Sequence, residues 1–149
     1  MTIEGNAAFI PDSEFKAKIQ QSLDLLKAKA AVNYAAVTTN VEKIFAAEKT
    51  GADVYKAAVQ IARKTFDSSL TWLASVLVHE SQHIVLRKSK GKAFGVEAEK
   101  KCNAVQLETL RLIGAPPDEI TYLLAQTGEH FDENGDGKFN EKDYELRDY

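Results

Sequence analysis

The sequence predicts a mainly α-helical fold with a minimal β element, in a single domain over residues 1–149. Apolar residues recur at intervals of three and four along most of the chain, which is the spacing of an amphipathic helix. Capping residues, glycines and prolines mark where these helices begin and end. In one short segment the side chains alternate with a period of two, as they do in a β-strand. A chain of this length buries one modest core.

Two helices are predicted in the first third of the chain. The first begins at Asp12 or Ser13, either of which can act as the N-cap, and runs to about Lys29. The second is predicted over residues 34–48, because apolar side chains share one helical face there. A Lys-Thr-Gly sequence follows directly and is a typical helix end.

The middle and the end of the chain are interpreted in the same way. Residues 58–66 alternate with a period of two and are rich in β-branched side chains, which predicts a short strand. Residues 67–69 cap a helix that continues to about residue 86. Further helices are predicted over residues 96–113, before a Gly-Ala-Pro-Pro stop, and from Asp118 onward.

Composition narrows the classes of function. The apolar fraction of 44% and the charged fraction of 28% are those of an ordinary globular protein. The net charge of −3 gives no broad basic face, so nucleic acid is not expected as a partner. The longest apolar stretch, residues 72–78, is too short to span a bilayer, so no membrane is expected either. Because Cys102 is the one cysteine, no internal disulfide forms.

The start of the chain bears on its location. Residues 1–11 lack a basic region followed by an apolar run, so they do not read as a secretory signal. A cytoplasmic location is therefore expected by default, with secretion or export without a classical signal as the alternative. Oligomeric state is not indicated by the sequence.

The strongest chemical signal is the segment His79-Glu80-Ser81-Gln82-His83. On a helix, residues four apart lie on one face, so both imidazoles can bind one zinc ion. Glu80 lies about 100° round the helix from His79, where its carboxylate can reach a metal-bound water. Glu80 is therefore the candidate catalytic base. The alternative is two ordinary helix histidines beside a surface glutamate.

A catalytic zinc site needs a third protein ligand. Glu97 and Glu99 lie on the next predicted helix, and only one of them can face the metal, because positions two apart point in nearly opposite directions. Glu99 shares a mainly apolar or uncharged stripe with Cys102 and Gln106, so it is favoured, with Glu97 as the alternative. Asn103 lies one turn after Glu99 and is expected to hydrogen-bond a ligating histidine without binding the metal itself.

These residues resemble the zincin-type zinc metallopeptidases of the gluzincin branch over residues 79 to about 106. The resemblance implies a compact zincin-like helical domain, a peptide or protein substrate, and zinc held by two histidines and a glutamate. It also implies an active-site residue that stabilises the transition state, for which Tyr122 and His130 are candidates. Two features depart from the family. The third ligand follows at a short spacing, and the strand-rich subdomain whose edge strand binds substrate is reduced to residues 58–66.

The tail, residues 128–149, carries a second candidate metal site. Residues 132–143 resemble an EF-hand calcium loop, with oxygen ligands at the spacing that such a loop needs. The predicted ligands are Asp132, Asn134, Asp136, the backbone carbonyl of Lys138, Asn140 and Asp143. The final position is normally a bidentate glutamate, and the shorter aspartate predicts weaker calcium binding and better tolerance of magnesium.

Three functions fit these patterns. The first is a zinc metallopeptidase, or related amide hydrolase, whose C-terminus is braced by calcium. The second is a catalytically inactive zincin-like module that binds metal or another protein. The third is a calcium-responsive module in which the histidine motif is incidental. The intact Glu80 favours the first, because a purely structural zinc site needs no base.

Overall fold

The computed structural model describes residues 1–126, which contain six helices and a four-stranded sheet. The prediction of a mainly helical protein is confirmed. In chain order the elements are β1 Thr2–Glu4, α1 Asp12–Lys29, α2 Ala31–Asn40, β2 Lys43–Ala46, β3 Gly51–Asp53, β4 Ala58–Ile61, α3 Arg63–Phe66, α4 Leu70–Lys88, α5 Val96–Leu112 and α6 Pro117–Leu124.

The sheet has the strand order β1-β2-β4-β3. The first three strands in that order are parallel, and β3 pairs with β4 in the antiparallel direction. Within residues 1–126, β3 is therefore an edge strand with one unpaired side. It also packs against α4. The sheet is larger than the minimal β element that the sequence predicted.

The helix predicted over residues 34–48 is wrong in its second half. The helix ends at Asn40, whose side-chain amide donates to the Ala36 carbonyl, and Val41 adopts an extended backbone. From there the side chains alternate, with Ile44 and Ala46 buried and their neighbours half-exposed. The apolar spacing fitted a helix and a strand equally well, and pairing with β1 and β4 on both sides decides for the strand.

The strand predicted over residues 58–66 is correct only for Ala58–Ile61. Residues Arg63–Phe66 form the short helix α3, and Phe66 stacks on Phe15 of α1 at 5.8 Å between ring centroids. Packing of this aromatic ring into the core thus turns the chain away from the sheet. The first predicted cap also shifts by one residue, because Pro11 occupies the N-cap position and Asp12 is the first helical residue.

The centre of the fold is α4, which packs against α1, α2 and α5. Ser69 caps it by accepting a hydrogen bond from the Trp72 backbone at 3.0 Å, as predicted for residues 67–69. Its side chains are buried almost without interruption from Trp72 to Leu86. A helix that is apolar on all sides must lie inside the protein, and its histidines are carried there with it. None of the helices in residues 1–126 is long and apolar enough to cross a bilayer.

Candidate metal centre

Three buried side chains from α4 and α5 meet at one point. The Nε2 atom of His79 lies 3.3 Å from Glu99 Oε2, and the Nε2 atom of His83 lies 3.3 Å from Glu99 Oε1. Each histidine is 1% exposed and Glu99 is 0% exposed. The carboxylate thus bridges the two imidazoles of the motif.

The start of α5 explains why Glu99 rather than Glu97 faces inward. Gly95 has a φ of +102°, a conformation that favours glycine, and its carbonyl accepts the hydrogen bond of the Glu99 backbone at 3.0 Å. This direction of entry buries the face that carries Glu99. Glu97 points outward, with a side chain that is 80% exposed and lies 3.4 Å from Lys100.

The ring orientation of His79 is fixed by a hydrogen-bond chain. Its Nδ1 atom donates to Gln106 Oε1 at 2.9 Å, and Gln106 Nε2 donates to Ser75 Oγ at 3.1 Å. The Ser75 hydroxyl in turn donates to the Trp72 carbonyl at 2.8 Å. Since a carbonyl can only accept a hydrogen bond, the donor and the acceptor of every hydrogen bond in this series are fixed. In the neutral ring, Nδ1 carries the proton of His79 and Nε2 keeps its lone pair.

His83 is oriented by the loop between α4 and α5. Its Nδ1 atom donates to the Ala93 carbonyl at 2.5 Å, and Phe94 stacks on the ring with centroids 5.3 Å apart. Its Nε2 atom has no hydrogen-bond partner within residues 1–126, although Glu99 is close. The neutral His83 therefore also presents a lone pair toward the carboxylate.

This arrangement requires a positive charge. Two imidazole lone pairs and a carboxylate repel one another at 3.3 Å unless a proton or a cation lies between them. Burial on its own lowers the pKa of His83, but the neighbouring Cys102 and Glu99 side chains and the charge of Glu80 raise it well above its usual value. Burial raises the pKa of the Cys102 thiol, and the adjacent His83 partly offsets that effect. The raised pKa of His83 favours a positive charge at the position where a cation would fit.

Zinc fits the geometry of this centre. Zinc binds imidazole nitrogen and carboxylate oxygen at about 2.0–2.1 Å in a tetrahedral arrangement, which places two such ligand atoms about 3.3–3.4 Å apart. Both observed nitrogen-to-oxygen separations are 3.3 Å. Hydrogen bonds to each Nδ1 atom are also the usual outer support of zinc-binding histidines. The donor set is therefore chemically suited to zinc, and the distance of each imidazole nitrogen from a Glu99 oxygen is compatible with it.

Glu80 is buried beside this centre. It is 1% exposed, and its Oε1 atom has no hydrogen-bond partner among the described residues. A buried carboxylate oxygen without a partner is costly, so it marks a place where a water, a proton or a ligand belongs. Glu80 is close enough to His83 for its charge to raise the pKa of that ring.

Several predicted residues lie elsewhere. Asn103 does not support a histidine, because both of its side-chain polar atoms are buried without a partner in residues 1–126 and each histidine Nδ1 is bonded to another group. Tyr122 packs edge-on against Trp72 and is 58% exposed. Trp72 precedes His79 by two turns of α4, about 10 Å, so Tyr122 lies away from the centre. His130 and the predicted calcium loop, residues 132–143, lie outside the described residues.

The supporting groups missed from the sequence are Gln106 and the carbonyl of Ala93. Gln106 could have been found, because it follows Glu99 by seven residues, two helical turns, and so shares its face more closely than Asn103 does. The Ala93 carbonyl leaves no signal in the sequence, because only the path of the loop brings it to His83. Cys102 lies with Glu99 on the buried face of α5, as the sequence predicts.

Comparisons with protein-family models, with curated proteins and with solved structures found no match to this chain.

Proposed function

We propose that this chain is a zinc-dependent peptidase in which His79, His83 and Glu99 hold the metal and Glu80 is the general base. The observation that carries the proposal is the bridging of both imidazoles by Glu99 at 3.3 Å, with the protons of both rings committed to Nδ1. Such an arrangement is repulsive without a cation and matches the ligand spacing of tetrahedral zinc.

Each side chain of the centre has a defined task in this proposal. When bound, zinc lowers the pKa of a water molecule and polarises the carbonyl group to be cleaved. Glu80 would act as the general base, taking a proton from the attacking water and later delivering it to the leaving amine. Gln106 and the Ala93 carbonyl keep the two rings in the tautomer that binds metal, and burial keeps the charges strongly coupled.

The sheet supports a peptide as the substrate class. The strand β3 has an unpaired edge within the described part of the chain, and it packs against α4, which carries the histidines. An extended peptide can add to such an edge through main-chain hydrogen bonds. The Thr50 hydroxyl anchors the start of β3, since it donates to Thr65 Oγ1 at 2.8 Å and accepts from the Ala62 backbone at 2.9 Å.

The proposal is tested by replacing the base without disturbing the metal. Glu80→Gln should keep zinc but lower the cleavage of a broad peptide library by about 10²–10⁴-fold, the usual contribution of a general base. Glu97→Gln is the matched control, because it makes the same change in an exposed carboxylate of α5. Equal cleavage by native protein and Glu80→Gln at equal zinc content would contradict the proposed role.

A second candidate function is a zinc-bound module without turnover, in which the metal stabilises the fold or an interaction surface. The observation that favours it is the burial of His79, His83, Glu80 and Glu99, each at most 1% exposed within the described part of the chain. A catalytic site needs a path for substrate. Zinc-loaded protein that cleaves nothing, and that unfolds when zinc is removed, would favour this second function.

Calcium is the remaining cofactor of the proposal. We infer from the sequence pattern that residues 132–143 bind calcium, or magnesium more weakly, as a structural ion.

A further inference from the structure

The buried thiol of Cys102 is the group near the metal centre to which the proposed reaction gives no task. Cys102 follows Glu99 by three residues on α5, which places it one turn further along the same buried face. It is 0% exposed. Its Sγ atom and a ring nitrogen from each of His79 and His83 all lie within 4.8 Å of one another.

Packing alone does not account for a thiol at this position. On one side Cys102 contacts the apolar residues Leu86 and Ala98, where any small apolar side chain would serve. Cys102 also lies near His83 and Glu80, whose Nε2 and Oε1 atoms respectively lack a hydrogen-bond partner of ordinary geometry within residues 1–126. The unpartnered Glu80 oxygen, carried by a side chain that is 1% exposed, points to a ligand in this space independently of the cysteine.

We propose that Cys102 is a fourth protein ligand of the zinc ion, so that the resting centre is closed to water. This inference rests on the proposed zinc site. Thiolate is a strong zinc ligand, bound at about 2.3 Å, and sulfur and nitrogen ligands of one tetrahedral zinc lie about 3.6 Å apart. From the observed limit of 4.8 Å, the ligand atoms would have to approach by at most about 1.2 Å to reach the zinc spacing.

A fourth ligand changes what the centre does. Zinc with four protein ligands is typical of closed structural sites, whereas catalytic zinc keeps one position for water. With Cys102 bound, Glu80 would have no metal-bound water to deprotonate. Withdrawal of the thiolate opens the fourth position to water. The chain is then a latent peptidase in which Cys102 restrains activity.

X-ray absorption spectroscopy of the zinc-loaded full chain tests the ligand directly. The expected spectrum contains one sulfur neighbour at about 2.3 Å and nitrogen or oxygen neighbours at about 2.0–2.1 Å. The assignment is unambiguous, because the chain has one cysteine and one methionine and the latter is Met1. Zinc with only nitrogen and oxygen neighbours overturns this inference and leaves the proposed function standing. A chain that binds no zinc overturns both.

The variant Cys102→Ala separates closure of the site from binding of the metal. It should keep zinc, lose the sulfur neighbour and cleave peptides several-fold faster per zinc ion than native protein does. Glu97→Gln, an exposed change on the same helix, should leave the spectrum and the rate unchanged. Equal rates for native protein and Cys102→Ala at full zinc loading overturn the closure. A sulfur neighbour without cleavage by either protein supports Cys102 as a ligand and contradicts the peptidase instead.

Discussion

Gln106 provides a sharp test of the site geometry, because its side chain acts on the metal only through His79. The perturbation is Gln106→Met, which keeps the length of the side chain and removes its amide. The lost hydrogen bond joins His79 Nδ1 and Gln106 Oε1 at 2.9 Å, and both residues are 1% exposed. No solvent reaches this bond to replace it within the described structure.

The size of the effect follows from this burial. A buried donor left without its partner costs about 1–3 kcal/mol. Loss of the group that orients a metal-binding histidine typically weakens metal affinity about 10–100-fold, or about 1.4–2.7 kcal/mol. The two ranges overlap, so we expect the zinc Kd of Gln106→Met to rise about 10–100-fold.

The assay is a competition titration against a chromogenic zinc chelator at fixed pH, with circular dichroism to confirm that the variant is folded. Ser75→Ala is the control. It removes the acceptor on the far side of Gln106 and leaves the bond to His79 intact, so its zinc Kd should change less. A folded Gln106→Met variant with the native zinc Kd would refute the assignment of His79 as a ligand through Nε2.

Further outcomes are expected at the centre and at the tail. Glu99→Ala should lose zinc while Glu97→Ala retains it, because only Glu99 lies against both imidazoles; metal analysis of the two variants decides, and equal zinc contents would contradict the ligand set. In chelator-treated protein, the raised pKa of His83 increases the free energy of unfolding. This contribution is fully present below the pKa of histidine in the unfolded chain, about 6.5. It is lost as the pH rises through the raised pKa of the folded protein. Urea unfolding across this pH range should show a fall in the free energy of unfolding of native protein and a smaller fall for His83→Asn. Identical pH profiles for the two proteins would argue against a buried proton on His83. Zinc affinity should change in the opposite direction and increase with pH, because zinc displaces that proton. Asp136→Asn should weaken calcium binding, measured by calorimetry, more than Glu141→Gln does, because Glu141 is not among the predicted ligands. Equal calcium affinities for the two variants would contradict the predicted calcium loop.

The site could be predicted from the sequence where it depends on helical spacing. His79 and His83 are four apart on a helix whose cap and apolar face are both visible in the sequence. The inward orientation of Glu99 rather than Glu97 followed from comparing the two stripes of α5, and the structure places these side chains on the predicted sides. Gln106 and Cys102 follow the same helical spacing, so their position on the buried face of α5 could be predicted in the same way.

The sheet could not be predicted from local patterns. Its strands are three or four residues long, which is too short for an alternation to stand out from a helical stripe. In residues 41–46 the apolar side chains fit both periods, and the choice depends on β1 and β4, which are distant in sequence. The pairing of β3 with β4 is local in the sequence, but no local pattern shows that β3 packs against α4. The strand edge proposed to receive a peptide could therefore not be predicted, while the proposed metal ligands could.

The burial of the centre is the feature that most separates the structure from an open active site. All the proposed metal ligands and Glu80 are at most 1% exposed in the described part of the chain. A structural zinc ion would fit this burial, whereas a catalytic one would need a rearrangement that admits substrate. The coordination by Cys102 proposed above gives this burial a function, since a closed centre also excludes water from the metal.

The measurement that tests the central claim most directly is the zinc content of protein purified without added metal, for native chain and for His83→Ala. We expect one zinc ion per native chain and none in His83→Ala, because the variant lacks one of the two imidazoles that Glu99 bridges. Native protein that holds no zinc, even after titration with the metal, or an equal zinc content in the two proteins, would contradict the account.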